Sequence, residues 1–207
     1  MVAGHRKGGR ATALPRTENA RLKHELARAE AKIAALEALA DVDPLTGVLN
    51  RRGFERELKR SLAYVARYGV SAALLYVDLD GFKTVNDRHG HSVGDRMLRQ
   101  VARALVGRVR ASDIVGRLGG DELAVLLWNI SEDDAVLKAR ALEALLAKTV
   151  IGKSTPRIAI GASIGVVALR GSQTPRHAIG AADKAMYARK REKKRRRRRV
   201  TARLTGR

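Results

Sequence analysis

The chain has 207 residues, 45% of them hydrophobic, which suffices for one domain with a packed core and excludes wholesale disorder. It has no cysteine, which excludes a disulfide framework, a thiolate metal site and a cysteine nucleophile. Forty-two Lys and Arg against 21 Asp and Glu give a formal net charge of +21, which favours nucleotides, nucleic acid or an anionic membrane surface as partners, while 3% aromatic residues argue against single-strand binding by base stacking.

Residues 1–16 mix Gly, Arg, Lys and Ala and read as a disordered basic N-terminus without the apolar stretch of a signal peptide. From Thr17, a candidate cap, Leu22, Leu26, Ala29, Ile33, Leu36 and Ala40 recur at alternating four- and three-residue steps. This seam makes 17–41 a helix and a short dimerising coiled coil, or else one amphipathic helix packed on its own domain. Asp43-Pro44 breaks it. A turn then leads into an amphipathic helix over Arg51 to Tyr68. Ala72 to Val77 is a continuous apolar run, read as a strand buried on both faces and ending in Asp78-Leu79-Asp80. Gly81 to Gly94 reads as a polar loop, and Asp95 to Val109 as a helix. Strands at Asp113 to Leu118 and Leu123 to Trp128 flank Gly119-Gly120, which suits a type I′ turn with two positive φ angles. Ser131 to Lys148 reads as a helix capped by Ser131, Arg157 to Leu169 as a strand, and Pro175 to about Lys194 as a last helix. The run Arg189 to Arg199 carries +9 in eleven residues, a solvated tail that serves solubility or nonspecific phosphate binding.

Helices alternating with strands around one hairpin give an α/β sandwich, a palm-like sheet flanked by helices, with an N-terminal helix in front. No apolar run approaches the ~18 residues that cross a bilayer, so the expectation is a cytoplasmic protein. Asp78 and Asp80 point to one face of their strand. Asp121 and Glu122 follow the Gly-Gly turn. If the two strands are neighbours, Asp78 and Asp121 converge, and converging carboxylates call for a cation or a proton. Oxygen-only donors suit Mg²⁺ or Mn²⁺ beside a phosphate substrate. On composition alone, strand-end and turn carboxylates are more often plain surface residues than metal ligands. His89 and His91 read as surface or hydrogen-bonding residues, since no third ligand accompanies them.

Five spaced motifs carry a resemblance: DPLTGVLNRR at 43–52, DLDGFKTVNDRHGHSVGD at 78–95, GRLGGDEL at 116–123, SIG at 163–165 and ADKAMYARK at 182–190. Together they resemble the GGDEF diguanylate cyclases over about residues 41–194. The resemblance implies a palm-like nucleotide-cyclase domain at 42–194 with a basic tail at 195–207. It implies that two GTP condense into cyclic di-GMP and two pyrophosphates, with Mg²⁺ (or Mn²⁺), in a homodimer whose two domains face each other. It implies Asp78, the Leu79 carbonyl and Asp121 as metal ligands, and Asp121 and Glu122 as the catalytic carboxylates. Asn86 and Asp95 would bind the guanine edge. Phe82, Lys83, Gly119, Gly120, Lys190 and Lys194 would meet the nucleotide and its phosphates. Arg110 and Asp113 match the RxxD product-inhibition site. Two departures stand out. Leu123 replaces Phe as the fifth signature residue, with little expected loss, and Arg189 replaces the usual alanine before Lys190. A nucleotide receptor without turnover, and a tail-driven nucleic-acid or membrane-associated protein, are the rival readings.

Overall fold

A computed structural model describes residues 18–28, 32, 41–148, 150–151 and 158–205, with the backbone alone for 150–151 and 197–205. It divides into two units, 1–40 and 41–207. In the first, 18–28 is helical (α1). Leu22 and Leu26, one turn apart, are 50% and 59% exposed, and Arg21 pairs with Glu25 on the flank. The remaining seam positions Ala29, Ile33, Leu36 and Ala40, and the candidate cap Thr17, lie outside the described residues.

The second unit holds α2 (Arg51–Tyr68), β1 (Ala72–Asp80), α3 (Phe82–His89), α4 (His91–Val106), β2 (Ile114–Gly119), β3 (Glu122–Trp128), α5 (Glu132–Lys148), β4 (Val150–Ile151), β5 (Ile158–Ala159), β6 (Gly161–Ala168) and α6 (Pro175–Thr205). A four-stranded antiparallel sheet in the order β2-β3-β1-β6 carries helices on both faces. β1 is central, and its period-two alternation feeds two cores. Ala73, Leu75, Val77 and Leu79 join Met97, Leu98 and Val101 of α4 and Leu142 and Leu146 of α5. Ala72, Leu74 and Tyr76 join Phe54, Leu58 and Leu62 of α2 and Ala178, Ala182 and Met186 of α6. Both faces are therefore buried, which is why the run reads as unbroken apolar sequence. Each fully buried leucine contributes about 1.5–3 kcal/mol.

The motif 43–52 folds as a staple onto this unit. The Asp43 carboxylate accepts bonds from the Thr46 amide (2.8 Å) and hydroxyl (2.6 Å), and Gly47 turns the chain at φ 74°. Asn50 caps α2 by accepting the Gly53 amide at 3.0 Å. The buried Asp41 carboxylate pairs with Arg52 at 3.0 Å and with Arg56.

Four elements differ from the sequence reading. The stretch 81–94 is not a loop. It is α3 and the start of α4, punctuated by Gly81 (φ 83°) and Gly90 (φ 80°), with one buried residue, Phe82, in α3. Its polarity reflects exposure of most of its side chains rather than lack of helix. Gly119 and Gly120 do not take positive φ. Gly119 pairs with Glu122, so Gly120-Asp121 are the central turn residues, and the ladder shifts register between Arg117 and Gly119. The strand at 157–169 divides into β5, which pairs with β4, and β6. Finally, α6 continues through the cationic run as far as Thr205. Ser131 caps α5 as expected, accepting the Asp134 amide at 3.1 Å. No helix among the described residues is long and apolar enough to cross a membrane.

Candidate active site at the ends of the central strands

The β1–β3 ladder places Asp78 directly opposite Glu122, and the β1–β6 ladder places it opposite Ser163. Directly paired residues share a face of the sheet, here the face covered by α6. Asp121 sits one residue from Glu122, at the turn, and the two Asp are close enough that each feels the other's charge. The convergence expected from the sequence is thus produced by the strand order, which makes β1 and β3 neighbours.

Lys190 of α6 reaches into this group, with Nζ 2.6 Å from Asp78 Oδ1. Burial pushes the Asp78 carboxyl above its ordinary range. Lys190 counters this, and the nearby charges of Asp121 and Asp80 reinforce it, so the net shift is upward. Burial lowers the Lys190 ammonium, but Asp78, Asp80 and Asp121 outweigh that and raise it. The site is a crowd of carboxylates in which Lys190 makes the short contact, to Asp78.

The flanking residues fix the crowd. Ser163 donates to Asp80 Oδ1 at 2.7 Å. A Cβ at Gly165 would overlap the α6 backbone at Ala182 and Met186, so glycine there lets α6 lie directly on β6. These contacts explain the SIG motif: Ser163 holds a carboxylate, Ile164 enters the core and Gly165 seats the helix that carries Lys190. On the other side, Arg51 donates to the Leu118 carbonyl at 2.7 Å and lies 3.8 Å from Glu122. Arg117 donates to the Gly120 carbonyl at 2.9 Å and pairs with Asp43 at 3.2 Å. Burial works to raise the Asp43 carboxyl, but the Thr46 hydroxyl and amide and then Arg117 prevail and lower it. The staple at 43–52 therefore braces the signature turn. Burial, and then the adjacent Glu122, raise the Tyr76 hydroxyl well above the ordinary phenol range.

The other candidates fall as follows. Leu79 is 1% exposed, its side chain in the core at the strand end. Phe82 and Lys83 form the first turn of α3, which starts without a side-chain cap; such a start offers free amides to an anion. Asn86 Oδ1 is buried with no hydrogen-bond partner among the described residues, and a Cβ at Gly94 would overlap it. The half-buried Asp95 follows Gly94 directly. Lys194 is exposed. Arg110 and Asp113 meet at the opposite end of β2, beside an open cleft of about 390 Å³ lined by Val106, Val109 and Ile114. Asp113 accepts the Arg110 amide at 2.8 Å and the Trp128 amide at 3.0 Å. Leu123 is fully buried against the α4–α5 core, as its apolar character required. His89 and His91 are exposed, and no group of three His, Cys, Asp or Glu poised around a metal occurs among the described residues.

Sequence reading missed Glu143. It is 8% exposed and sits on the inward stripe Ala135, Ala139, Leu142, Leu146 of α5, where a lone acid was the available signal. It pairs with Arg189 at 2.9 Å and Lys193 at 3.1 Å.

Comparison with known proteins matches these features. The chain is 37% identical over 151 residues to Diguanylate cyclase DosC of Escherichia coli (strain K12), covering 72% of this chain and 33% of DosC. It thus spans about a third of the length of that relative. The solved GGDEF domain of TpbB from Pseudomonas aeruginosa is 37% identical with a TM-score of 0.68, covering 73% of this chain and 89% of that one. The coiled coil and GGDEF domain of DgcB from Caulobacter crescentus, solved in complex with c-di-GMP, is 26% identical with a TM-score of 0.71, covering 86% of this chain and 96% of that one. Residues 40–196, from the staple to the cationic helix, match the family model for the diguanylate cyclase GGDEF domain, and the chain belongs to the GGDEF family.

Proposed function

We propose that the chain is a diguanylate cyclase that condenses two GTP into cyclic di-GMP and releases two pyrophosphates. The observation that carries this reading is the register that sets Asp78 opposite Glu122, with Asp121 at the adjoining turn and Lys190 among them. Asn86, with its orphan Oδ1, and Asp95 hold the guanine edge, whose N1–H and N2–H₂ groups need acceptors. The free amides at the start of α3, with Lys83, Lys190 and Lys194, bind the phosphates. Gly119 and Gly120 let the backbone approach the nucleotide.

The donor set fits a hard divalent cation, Mg²⁺ or Mn²⁺. Asp78 and Asp121 are all-oxygen donors, and burial first, then the charges of Asp121 and Asp80, raise the Asp78 carboxyl, a cost that a cation would relieve. Asp78, Asp121 and the Leu79 carbonyl would hold it. When bound, such an ion neutralises phosphate charge and activates the attacking 3′-hydroxyl. Glu122, braced by Arg51, supports the reacting ribose. Each domain holds one GTP, and the 3′-hydroxyl of one attacks the α-phosphorus of the other, so two chains must meet. The exposed Leu22 and Leu26 give α1 an apolar edge for pairing in a homodimer, which raises the local concentration of domains. Arg110 and Asp113 bind product and restrain turnover, since the Arg fork suits guanine and phosphate oxygens.

The test is incubation with GTP and Mg²⁺, with product read by chromatography and mass spectrometry and Asp121→Ala run alongside. Cyclic di-GMP from the wild type alone supports the reading. GTP or cyclic di-GMP binding by folded dimer without turnover assigns a receptor instead. A compatible second role rests on α6: Arg191, Lys194, Arg195 and Arg196 are exposed on a helical extension that suits an anionic partner, nucleic acid or a membrane surface.

A further inference from the structure

Among the described residues no strand pairs with the outer edge of β6, and charged side chains meet it instead. β6 is an edge strand, and edge strands present unpaired backbone groups. Here Glu143 Oε1 accepts the Ile164 amide at 3.1 Å, and Lys193 Nζ donates to the Ala162 carbonyl. Arg189 grips Glu143 with two nitrogens, Nη2 at 2.9 Å and Nε at 3.3 Å. Lys193, one turn further along α6, contacts the same carboxylate at 3.1 Å and lies 3.8 Å from Asp80. One nine-tenths buried carboxylate on α5 thus binds the edge of β6 and two successive turns of α6.

A helix held at two points one turn apart can neither slide nor roll. Lys190 follows Arg189 directly. With Arg189 turned to Glu143, Lys190 is directed to the strand ends, where it meets Asp78. A bidentate Arg–carboxylate pair is directional as well as strong, which suits it to this task. We infer that Glu143, through Arg189 and Lys193, is a positioning residue that sets α6 so that Lys190 reaches the carboxylate end of β1. Resting on the proposed function, Lys190 is then the group through which Glu143 acts on GTP. Arg189, a departure from the usual alanine, is part of the device rather than surplus charge.

The experiment uses the full chain and compares Glu143→Gln, which keeps shape and loses charge, with Arg189→Gln, at a half-exposed position, in case the first fails to fold. The first readout is the side-chain ammonium signal of Lys190 in ¹H–¹⁵N spectra, assigned with Lys190→Arg. It is protected in the wild type and is shifted or lost in either variant. The second is GTP turnover. KM rises about tenfold in the folded variant with kcat little changed, as for other residues that orient a binding group. In a Lys190→Ala background the same substitution changes KM by less than about twofold, because the two act through one group. An unchanged Lys190 signal, or KM effects that multiply in the double variant, overturns the inference. If the wild type makes no cyclic di-GMP, the proposed function falls, and the ammonium signal alone decides the inference.

Discussion

The hairpin β2–β3 has an aspartate at each end, and the two are built in opposite ways. Asp113, at the start of β2, gives one oxygen to the Arg110 amide and the other to the Trp128 amide. Asp121, at the turn, and Asp78 beside it on β1 face each other's charge and a lysine. A carboxylate bonded to backbone amides is stabilised in place, and removing it strands those amides. A carboxylate crowded by other carboxylates is strained in place, and under the proposed function that strain is relieved by a bound cation. Both patterns read alike in sequence, as an Asp beside a strand. Strand order and register separate them.

The largest expected effect tests the crowded end. Under the proposed function Asp121→Ala removes one of the two carboxylates among the three candidate metal ligands, and cyclic di-GMP formation falls on the order of a thousandfold or more, since a metal-stabilised charge is worth several kcal/mol of barrier. Initial rates at saturating GTP and Mg²⁺ measure it, with a thermal melt to establish that the variant is folded. Turnover within tenfold of wild type would remove Asp121 from the catalytic set.

The amide-bonded end gives a smaller effect on stability. Asp113→Ala leaves the Arg110 and Trp128 amides without their acceptor and costs about 1–3 kcal/mol. Arg110→Ala touches only an exposed side chain and stays within about 0.5 kcal/mol. Denaturant midpoints separate the two. Both variants lose product inhibition under the proposed function, which makes Arg110→Ala the cleaner probe of it. Equal midpoints would mean that the Asp113 bonds contribute nothing to the fold.

These contrasts bear on what the sequence made legible. The placement of α2, β1, the β2–β3 hairpin and α5, the double-sided burial of β1 and the core role of Leu123 follow from apolar patterning, which the chain displays openly. So does the clustering of motifs at strand ends. The helices at 82–94 are hidden in the sequence because most of their side chains are exposed, leaving no clear apolar period to read. The Gly119-Gly120 turn departs from the type I′ expectation because neither glycine takes a positive φ and the pairing shifts register between Arg117 and Gly119, which residue type alone does not display. Glu143 was invisible because its partners, Arg189 and the Ile164 amide, lie 46 and 21 residues away and only packing brings them to it.

A third measurement sharpens the contrast through its sign. The Asp78 carboxyl is raised from its ordinary value of 3.8, so its charged form is disfavoured by folding. A group shifted upward contributes stability below the unfolded value and loses it as pH rises through the folded value. In metal-free buffer at neutral pH, Asp78→Asn therefore melts at a higher temperature than the wild type, and the difference vanishes below pH 3.8. The Asp43 carboxyl is lowered from 3.8, so its contribution is present above that value and is lost as the pH falls through the lowered one. Asp43→Asn is accordingly destabilised at neutral pH. If Asp78→Asn also melted lower at neutral pH, the carboxylate end would be an ordinary structural site and the contrast would collapse.

The smallest expected effect concerns charge outside both ends. The cationic part of α6 is helical, yet Arg191, Arg195 and Arg196 are exposed, while Arg189, Lys190 and Lys193 nearby are tied to Glu143 and Asp78. Only unpaired cations release counterions on meeting a polyanion. Affinity for duplex DNA should therefore fall steeply with salt, and each of Arg191→Ala, Arg195→Ala and Arg196→Ala should flatten the log–log slope by about one. Arg189→Ala should leave that slope unchanged, because its charge is already committed to Glu143. A slope that responds equally to all four would mean that the buried pair opens in solution, and that the division of α6 into a seated half and a free half does not hold.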